Sequence, residues 1–270
     1  MNYSMLSLIL IYAIFLFPFK EKSDNLILPT HKNSEMGDAK TVTLNDGTVF
    51  DIYLLDPKIT SLDFYHYAPN NPQQKIKNIR NLKKQLNDNG YQLRFATNGG
   101  LFQANLKPTG LYIENEAIMY PLNLKEDQTT FTNFYSIPPN GVFYIQKNKD
   151  FGIVKREDFP RIENVQSATQ SGPMLIIDNK INSTFNRQSK SKYIRTGVGI
   201  TKQGKLIFAI SHAPVTFFDF SRIFLYYGCS TALYLDGKIS EMYLDFKNIK
   251  RPTTKNNFSI IMAVSEKIKS

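Results

Sequence analysis

The chain is predicted to fold as an α+β domain, with a mostly antiparallel or mixed β-sheet and a few packing helices. Three observations predict this. Short apolar runs of strand length recur between Gly, Pro, Asn and Asp turn residues along most of the chain. Only two segments carry the apolar spacing of a helix. The strand–helix alternation of a doubly wound parallel sheet is missing.

The elements follow in order. Val42-Thr43-Leu44 and residues 48–53 flank Asn45-Asp46-Gly47, which predicts a hairpin because Asp-Gly supplies the positive-φ positions of a tight turn. Residues 73–89 place Ile76, Ile79, Leu82 and Leu86 on one stripe, with Lys and Arg on the other faces, and predict an amphipathic helix stopped near Gly90. Residues 91–96 form a strand, and 110–113 with 117–120 a hairpin. Further strands are predicted at 141–146, 173–177, 195–201 and 205–211, the last two joined by the Lys202-Gln203-Gly204 turn. A second helix covers 216–227 and ends at Gly228. Strands at 232–235, 239–243 and 259–265 complete the set.

Composition narrows the function classes. In 270 residues, 20 Phe and 15 Tyr supply ample core material and exclude global disorder. One cysteine, Cys229, excludes an intrachain disulfide and a Cys-rich zinc site. Three histidines, His31, His66 and His212, argue against a His-based metal cluster. The net charge of +10 reads first as a solvated Lys-rich surface. Basic residues gather at 75–94 and 247–269, but neither group is interleaved with stacking aromatics, so no nucleic-acid partner is expected.

Residues 3–19 carry no charge, and their length lies between a signal-peptide core and a membrane span. Residues 1–19 are therefore expected to be a signal peptide or an N-terminal membrane anchor, 20–40 a polar linker, and 41–270 the domain. No Cys follows the apolar run, which excludes a lipoprotein anchor. The expected location is exported: periplasmic, extracellular or membrane-anchored, with a possible tether through 3–19.

Four stretches carry candidate chemistry. Asn98-Gly99-Gly100 ends a strand, where backbone N–H groups can approach a ligand and Asn98 offers a donor and an acceptor; on its own the stretch reads first as a plain tight turn. Gln170-Ser171-Gly172-Pro173 opens an apolar strand with an amide, a hydroxyl and backbone donors, and again reads also as turn chemistry. Arg195 opens the apolar Thr196-Gly197-Val198 strand, so if buried it needs a partner: an internal Asp, or a substrate phosphate or carboxylate. Asp236-Gly237 closes the Ala232-Leu233-Tyr234-Leu235 strand, as a hairpin turn or as an acid facing a cleft. Taken together, polar-plus-glycine strand ends in one β-rich domain suggest one convergent pocket.

The blocks NGGLF (98–102), KPTGLYI (107–113), PPNGVFYI (138–145), QSGPMLI (170–176), RTGVGIT (195–201) and ALYLDGKIS (232–240) follow one another in the order of the phosphodiester glycosidase family, which this chain resembles over about 96–243. The likeness is to its bacterial exported branch. The resemblance implies hydrolysis of the bond between a sugar and a phosphodiester. It places substrate-binding positions on Asn98, Gly99, Gly100, Gln170, Ser171, Gly172 and Ser240, and catalytic positions on Asp236 and Arg195. Many members carry Asp-Gly-Gly where this chain has Asp236-Gly237-Lys238; Lys238 either narrows the pocket or adds a cation beside the phosphate.

Breaking a sugar–phosphate bond builds oxocarbenium-like charge at the anomeric carbon, so a carboxylate is wanted there, and Asp236 is the candidate. Arg195 and the Gly99 and Gly100 N–H groups are expected to match the phosphate charge. Glu114 and Asp219 are candidates for a second carboxylate. No cofactor is required, although a loosely held Mg²⁺ or Ca²⁺ on Asp236 is compatible with the sequence. The expected partner is a sugar-phosphodiester or envelope glycan. The competing readings are a non-catalytic glycan-binding protein using the same cleft, and a structural envelope protein held by residues 3–19.

Overall fold

The computed structural model describes residues 37–124, 137–246 and 249–268. The expected leader at 1–19 and most of the expected linker lie outside them. β1 (Asp38–Thr43) begins within the segment read as linker, and β2 (Val49–Leu55) follows across the Asp46-Gly47 turn. β3 (Asp63–Tyr65), β4 (Tyr67–Ala68) and β5 (Asn71–Lys75) were not predicted. α1 is Ile79–Asp88, shorter than the predicted 73–89, because Asn78 is extended and its side chain caps the N–H of Asn81. Ile76 is still buried, but ahead of the helix.

β6 (Tyr91–Asn98), β7 (Tyr112–Glu114), β8 (Ala117–Tyr120) and β9 (Gly141–Gln146) lie where strands were expected. β10 (Phe151–Lys155) and β11 (Val165–Ser171) are additional, and β11 takes in Gln170 and Ser171, which were read as a turn. β12 (Met174–Ile177), β13 (Lys180–Ile181), β14 (Thr196–Thr201) and β15 (Leu206–Ser211) follow. α2 (Phe217–Tyr226) is flanked by Thr216 as N-cap and Tyr227 as C-cap. β16 (Cys229–Asp236), β17 (Met242–Asp245), β18 (Lys250–Arg251) and β19 (Ile261–Lys267) close the chain.

The strands form a seven-stranded sheet in the order β1-β2-β15-β14-β16-β12-β13, two five-stranded sheets, β10-β9-β11-β7-β8 and β18-β17-β6-β19-β3, and the β4-β5 pair. Every pairing among the described residues is antiparallel. The fold is thus α+β, with antiparallel rather than mixed sheets.

The three sheets share one core. Phe208 of the first sheet lies 5.0 Å from the Phe95 ring of the third and 6.3 Å from the Phe143 ring of the second. Burying a ring of this size contributes about 1.5–3 kcal/mol. The alternation along β15 explains why it reads as an unbroken apolar run: Leu206, Phe208 and Ile210 enter this core, while Ile207 and Ala209 face α2 on the outer side. α1 covers the outer face of the third sheet through Ile79, Leu82 and Leu86. With both faces of its sheet covered, the chain concentrates its polar chemistry at strand ends.

Candidate active site

Strand ends from two sheets meet at one point. β6 ends at Asn98, β14 begins at Thr196 and β16 ends at Asp236, with Thr196 directly opposite Asp236 in the sheet. The Thr196 hydroxyl donates to Asn98 Oδ1 at 3.1 Å, and the same oxygen accepts the Glu241 N–H at 3.0 Å. Ser240 Oγ donates to the Asp236 carbonyl at 2.7 Å. Asn98, Thr196, Asp236 and Ser240 therefore form one connected group, although they come from distant parts of the chain. The pairing shifts register between Thr196 and Gly197, and such a bulge re-aims a strand end.

Asp236 is 6% exposed, and its Oδ1 accepts the N–H groups of Gly237 at 2.5 Å and Lys238 at 2.9 Å. Burial pushes its carboxyl above the ordinary range, and the N–H groups of Lys238, Gly237 and Ile239 with the Lys238 ammonium only partly oppose that. The turn is closed on its inner side: a Cβ on Gly237 would lie 2.0 Å from Tyr234 Oη and 3.2 Å from Arg195 Nη1. The predicted strand at 239–243 starts only at Met242, because 237–240 wraps around Asp236.

Arg195 is fully buried. Its Nε donates to the Val215 carbonyl at 2.9 Å and its Nη2 to the Ser191 carbonyl at 3.0 Å. The guanidinium lies 3.8 Å from the Phe217 ring centroid and 5.4 Å from the Tyr234 ring centroid. The sequence offered an internal Asp or a substrate anion as its partner; carbonyls, a ring face and a tyrosine take much of that place. Arg195 Nη1 lies beside the Asp236-Gly237 turn, 3.2 Å from where a Cβ on Gly237 would sit.

The glycine-rich turn behaves differently from expectation. The Gly99 N–H donates to the Ile260 carbonyl at 2.8 Å, and the Gly100 N–H to Thr169 Oγ1 at 3.2 Å. Both donors assigned to phosphate are therefore engaged inside the fold. Their lack of side chains serves packing: a Cβ on Gly100 would lie 2.3 Å from the Gln170 carbonyl oxygen. Gln170 braces a neighbouring segment, with Oε1 accepting the N–H groups of Leu111 and Asn123, each at 2.9 Å, and Nε2 donating to the Asn123 carbonyl at 2.7 Å. Ser171 Oγ faces the Leu235 carbonyl at 3.4 Å, next to Asp236, and Gly172 packs against Asn140 so closely that a Cβ would lie 1.8 Å from Asn140 Oδ1.

The two candidates for a second carboxylate have other partners. Glu114 accepts from Tyr112 Oη at 2.5 Å and from the His66 N–H at 3.0 Å. Asp219 accepts from Thr216 Oγ1 at 2.8 Å at the start of α2. The carboxylate that sequence reasoning missed is Glu241, 3% exposed, whose backbone N–H binds Asn98 and whose side chain holds Thr254. Its signal was position, directly after Ser240. Tyr234 and Thr196 were missed because each looked like strand filler. Among the described residues, no group of three or more His, Cys, Asp or Glu side chains gathers as for a metal ion.

The three-sheet antiparallel α+β domain brings the NGG, SGP and LDG turns to one end of its strands, beside a buried aspartate. The sequence pattern of the phosphodiester glycosidase family matches residues 91–265, and the chain belongs to that family. It is 35% identical over 208 residues to an uncharacterised protein of Escherichia coli strain K12, YigE, covering 76% of this chain and 79% of that one. Its fold is similar to the catalytic domain of zebrafish N-acetylglucosamine-1-phosphodiester α-N-acetylglucosaminidase, auto-inhibited by its pro-peptide. That match has a TM-score of 0.59 at 17% identity and covers 87% of this chain and 85% of that one. A hypothetical protein from Synechocystis matches with a TM-score of 0.51 at 14% identity, over 85% of this chain and 61% of that one.

Proposed function

We propose that the protein hydrolyses a sugar-1-phosphodiester, releasing the sugar from its phosphate-linked group. The observation that carries this reading is the buried Asp236 carboxylate, held by its own turn beside Asn98, Thr196 and Ser240 and braced by Arg195. A carboxylate so placed stabilises or attacks the positive anomeric carbon, and burial strengthens its effect. The phosphodiester is a good leaving group, so the reaction asks less of a general acid than ordinary glycoside cleavage. Lys238, exposed beside the turn, is the cation offered to the phosphate in place of the buried Arg195. The reaction as proposed needs no cofactor, and turnover is expected to survive chelation of divalent ions.

The test is release of free sugar from a panel of sugar-1-phosphodiesters. Asp236→Asn is expected to lower turnover at least about 100-fold, with the fold intact by circular dichroism. Because the carboxylate is the active form and its proton is held more tightly than usual, turnover should rise with pH through a midpoint above the ordinary carboxyl range. Full activity in the Asn variant would remove Asp236 from the mechanism.

A second reading, glycan binding without turnover, draws on one observation: the Gly99 and Gly100 donors and much of the Gln170 amide are engaged within the protein. Calorimetric binding of a glycan with no product formed would favour it. The expected export of the domain belongs to the same proposal, resting on the uncharged run at 3–19. Fractionation of the native full-length protein tests it.

A further inference from the structure

A cleft of about 570 Å³ lies between α2 and the segment from β13 to residue 187. Its lining includes Lys180, Phe185, Arg187, Phe218, Arg222 and Leu225, and no Asp or Glu among the described residues lines it. Arg222 is neutralised from outside, by an ion pair with Asp46 on the β1–β2 turn. Arg187 and Lys180 have no such acid among the described residues. The Arg187 guanidinium lies 4.6 Å from the Phe218 ring centroid, which holds it in place while its N–H groups stay available.

The walls are preorganised. Asn182 Nδ2 donates to the carbonyls of Met174 at 3.0 Å and Pro138 at 3.2 Å, and its Oδ1 accepts from the Thr184 N–H and hydroxyl. Phe185 stacks on Phe217 with ring centroids 5.1 Å apart and planes 16° apart. Phe217 is also the ring against the Arg195 guanidinium, so it lies between Phe185 of the cleft wall and Arg195.

We propose that this cleft is an accessory binding site for a phosphate-bearing sugar chain, seating a repeat remote from the bond that is cleaved. A guanidinium with no acid beside it and a nearby ammonium suit a phosphate group. The apolar surface of Leu225, 44% exposed, with the polar edges of Asn179 and Ser183, suits sugar rings, which present apolar faces and hydroxyl rims. A nucleic acid fits less well, because Arg187 already occupies the Phe218 ring and Phe217 one face of Phe185, leaving little aromatic face for a base. The proposal deepens the hydrolase reading and rests on it in one respect: the chain seated here is taken to be the one delivered to Asp236.

The test is titration of the full chain carrying Asp236→Asn, so that ligand is not consumed. The probes are a synthetic trimer of phosphodiester-linked N-acetylglucosamine, a neutral N-acetylglucosamine trimer, and a single-stranded hexanucleotide. The phosphodiester trimer is expected to bind roughly tenfold more tightly than the neutral one, and to lose about that factor in the Lys180→Glu, Arg187→Glu variant. Arg187→Gln, which adds no new charge, should show a smaller loss in the same direction. In the otherwise native enzyme, the same exposed substitutions should leave hydrolysis of a single sugar-1-phosphodiester within about twofold and raise KM for the trimer. Unchanged trimer affinity in both variants, or equal binding of the neutral trimer, overturns the site. A hexanucleotide that binds as tightly and depends on Arg187 overturns the sugar-chain assignment. If no sugar-1-phosphodiester is hydrolysed yet trimer binding still depends on Arg187, the hydrolase reading fails while the cleft stands.

Discussion

Gly237 occupies a position where no side chain fits. The Tyr234 hydroxyl that a Cβ would strike belongs to a ring fixed edge-on to Phe217, with centroids 4.8 Å apart, so it has little room to retreat. Gly237→Ala is expected to cost about 1–3 kcal/mol of stability, measured by denaturant unfolding. It should also reduce turnover beyond what the folded fraction explains, because Arg195 and Asp236 move with the turn. Wild-type turnover in that variant would show that the turn tolerates displacement. The Asp236-Gly237 pair also illustrates what local reading misses. The sequence reads it as a hairpin turn or an acid at a cleft, but the strands on either side, β16 and β17, belong to different sheets, so the turn is not a hairpin. The guanidinium beside Gly237 comes from Arg195, 41 residues before Asp236.

α2 shows how an element carries the site. Thr216 Oγ1 accepts the Asp219 N–H at 3.0 Å and donates to the Asp219 carboxylate, closing the first helical turn. The next residue, Phe217, is the ring against Arg195. Thr216→Ala is expected to cost about 1 kcal/mol, read as a lower Tm. Because it loosens the ring beneath the site, it should lower kcat more than an exposed α2 change such as Tyr226→Ala. This helix was legible to within a residue at each end, because its apolar positions, its capping threonine and Gly228 all agree. α1 was legible only in its second half. The apolar stripe runs back to Ile76, but the extended Asn78 and the pairing of Asn71–Lys75 with β4 override it.

Across the whole molecule, one buried carboxylate ties two sheets together. Asp51 on β2 accepts from Thr41 Oγ1 at 2.7 Å, His212 Nε2 at 2.8 Å and Arg251 Nη1 at 2.6 Å, and Arg251 belongs to the edge of the third sheet. Burial alone would push this carboxyl up, but the bonds from His212, Thr41 and Arg251 outweigh it and hold it below the ordinary range. A depressed folded value means that the unfolded chain binds the proton more readily. The stabilisation is therefore complete above the ordinary carboxyl range and disappears as pH falls through the folded value. Asp51→Asn should lower stability near neutral pH by about 1–3 kcal/mol and flatten the acid limb of the stability–pH curve. Parallel curves for the two proteins would overturn this account.

Many strand positions, the second helix and the order of the turn motifs are written in local residue chemistry: β-branched and aromatic runs, Asp-Gly and Gly-Pro breaks, a capping threonine; β3, β4, β5, β10 and β11 are not. Those features act over a few residues and need no partner to be recognised. The arrangement into three sheets, the engagement of the Gly99 and Gly100 donors, the burial of Arg195 and the place of Glu241 depend on contacts between residues far apart in the chain. Such contacts form only when strands pair and cores close, because the energy that selects them comes from burial and hydrogen bonding across sheets, which no local pattern encodes.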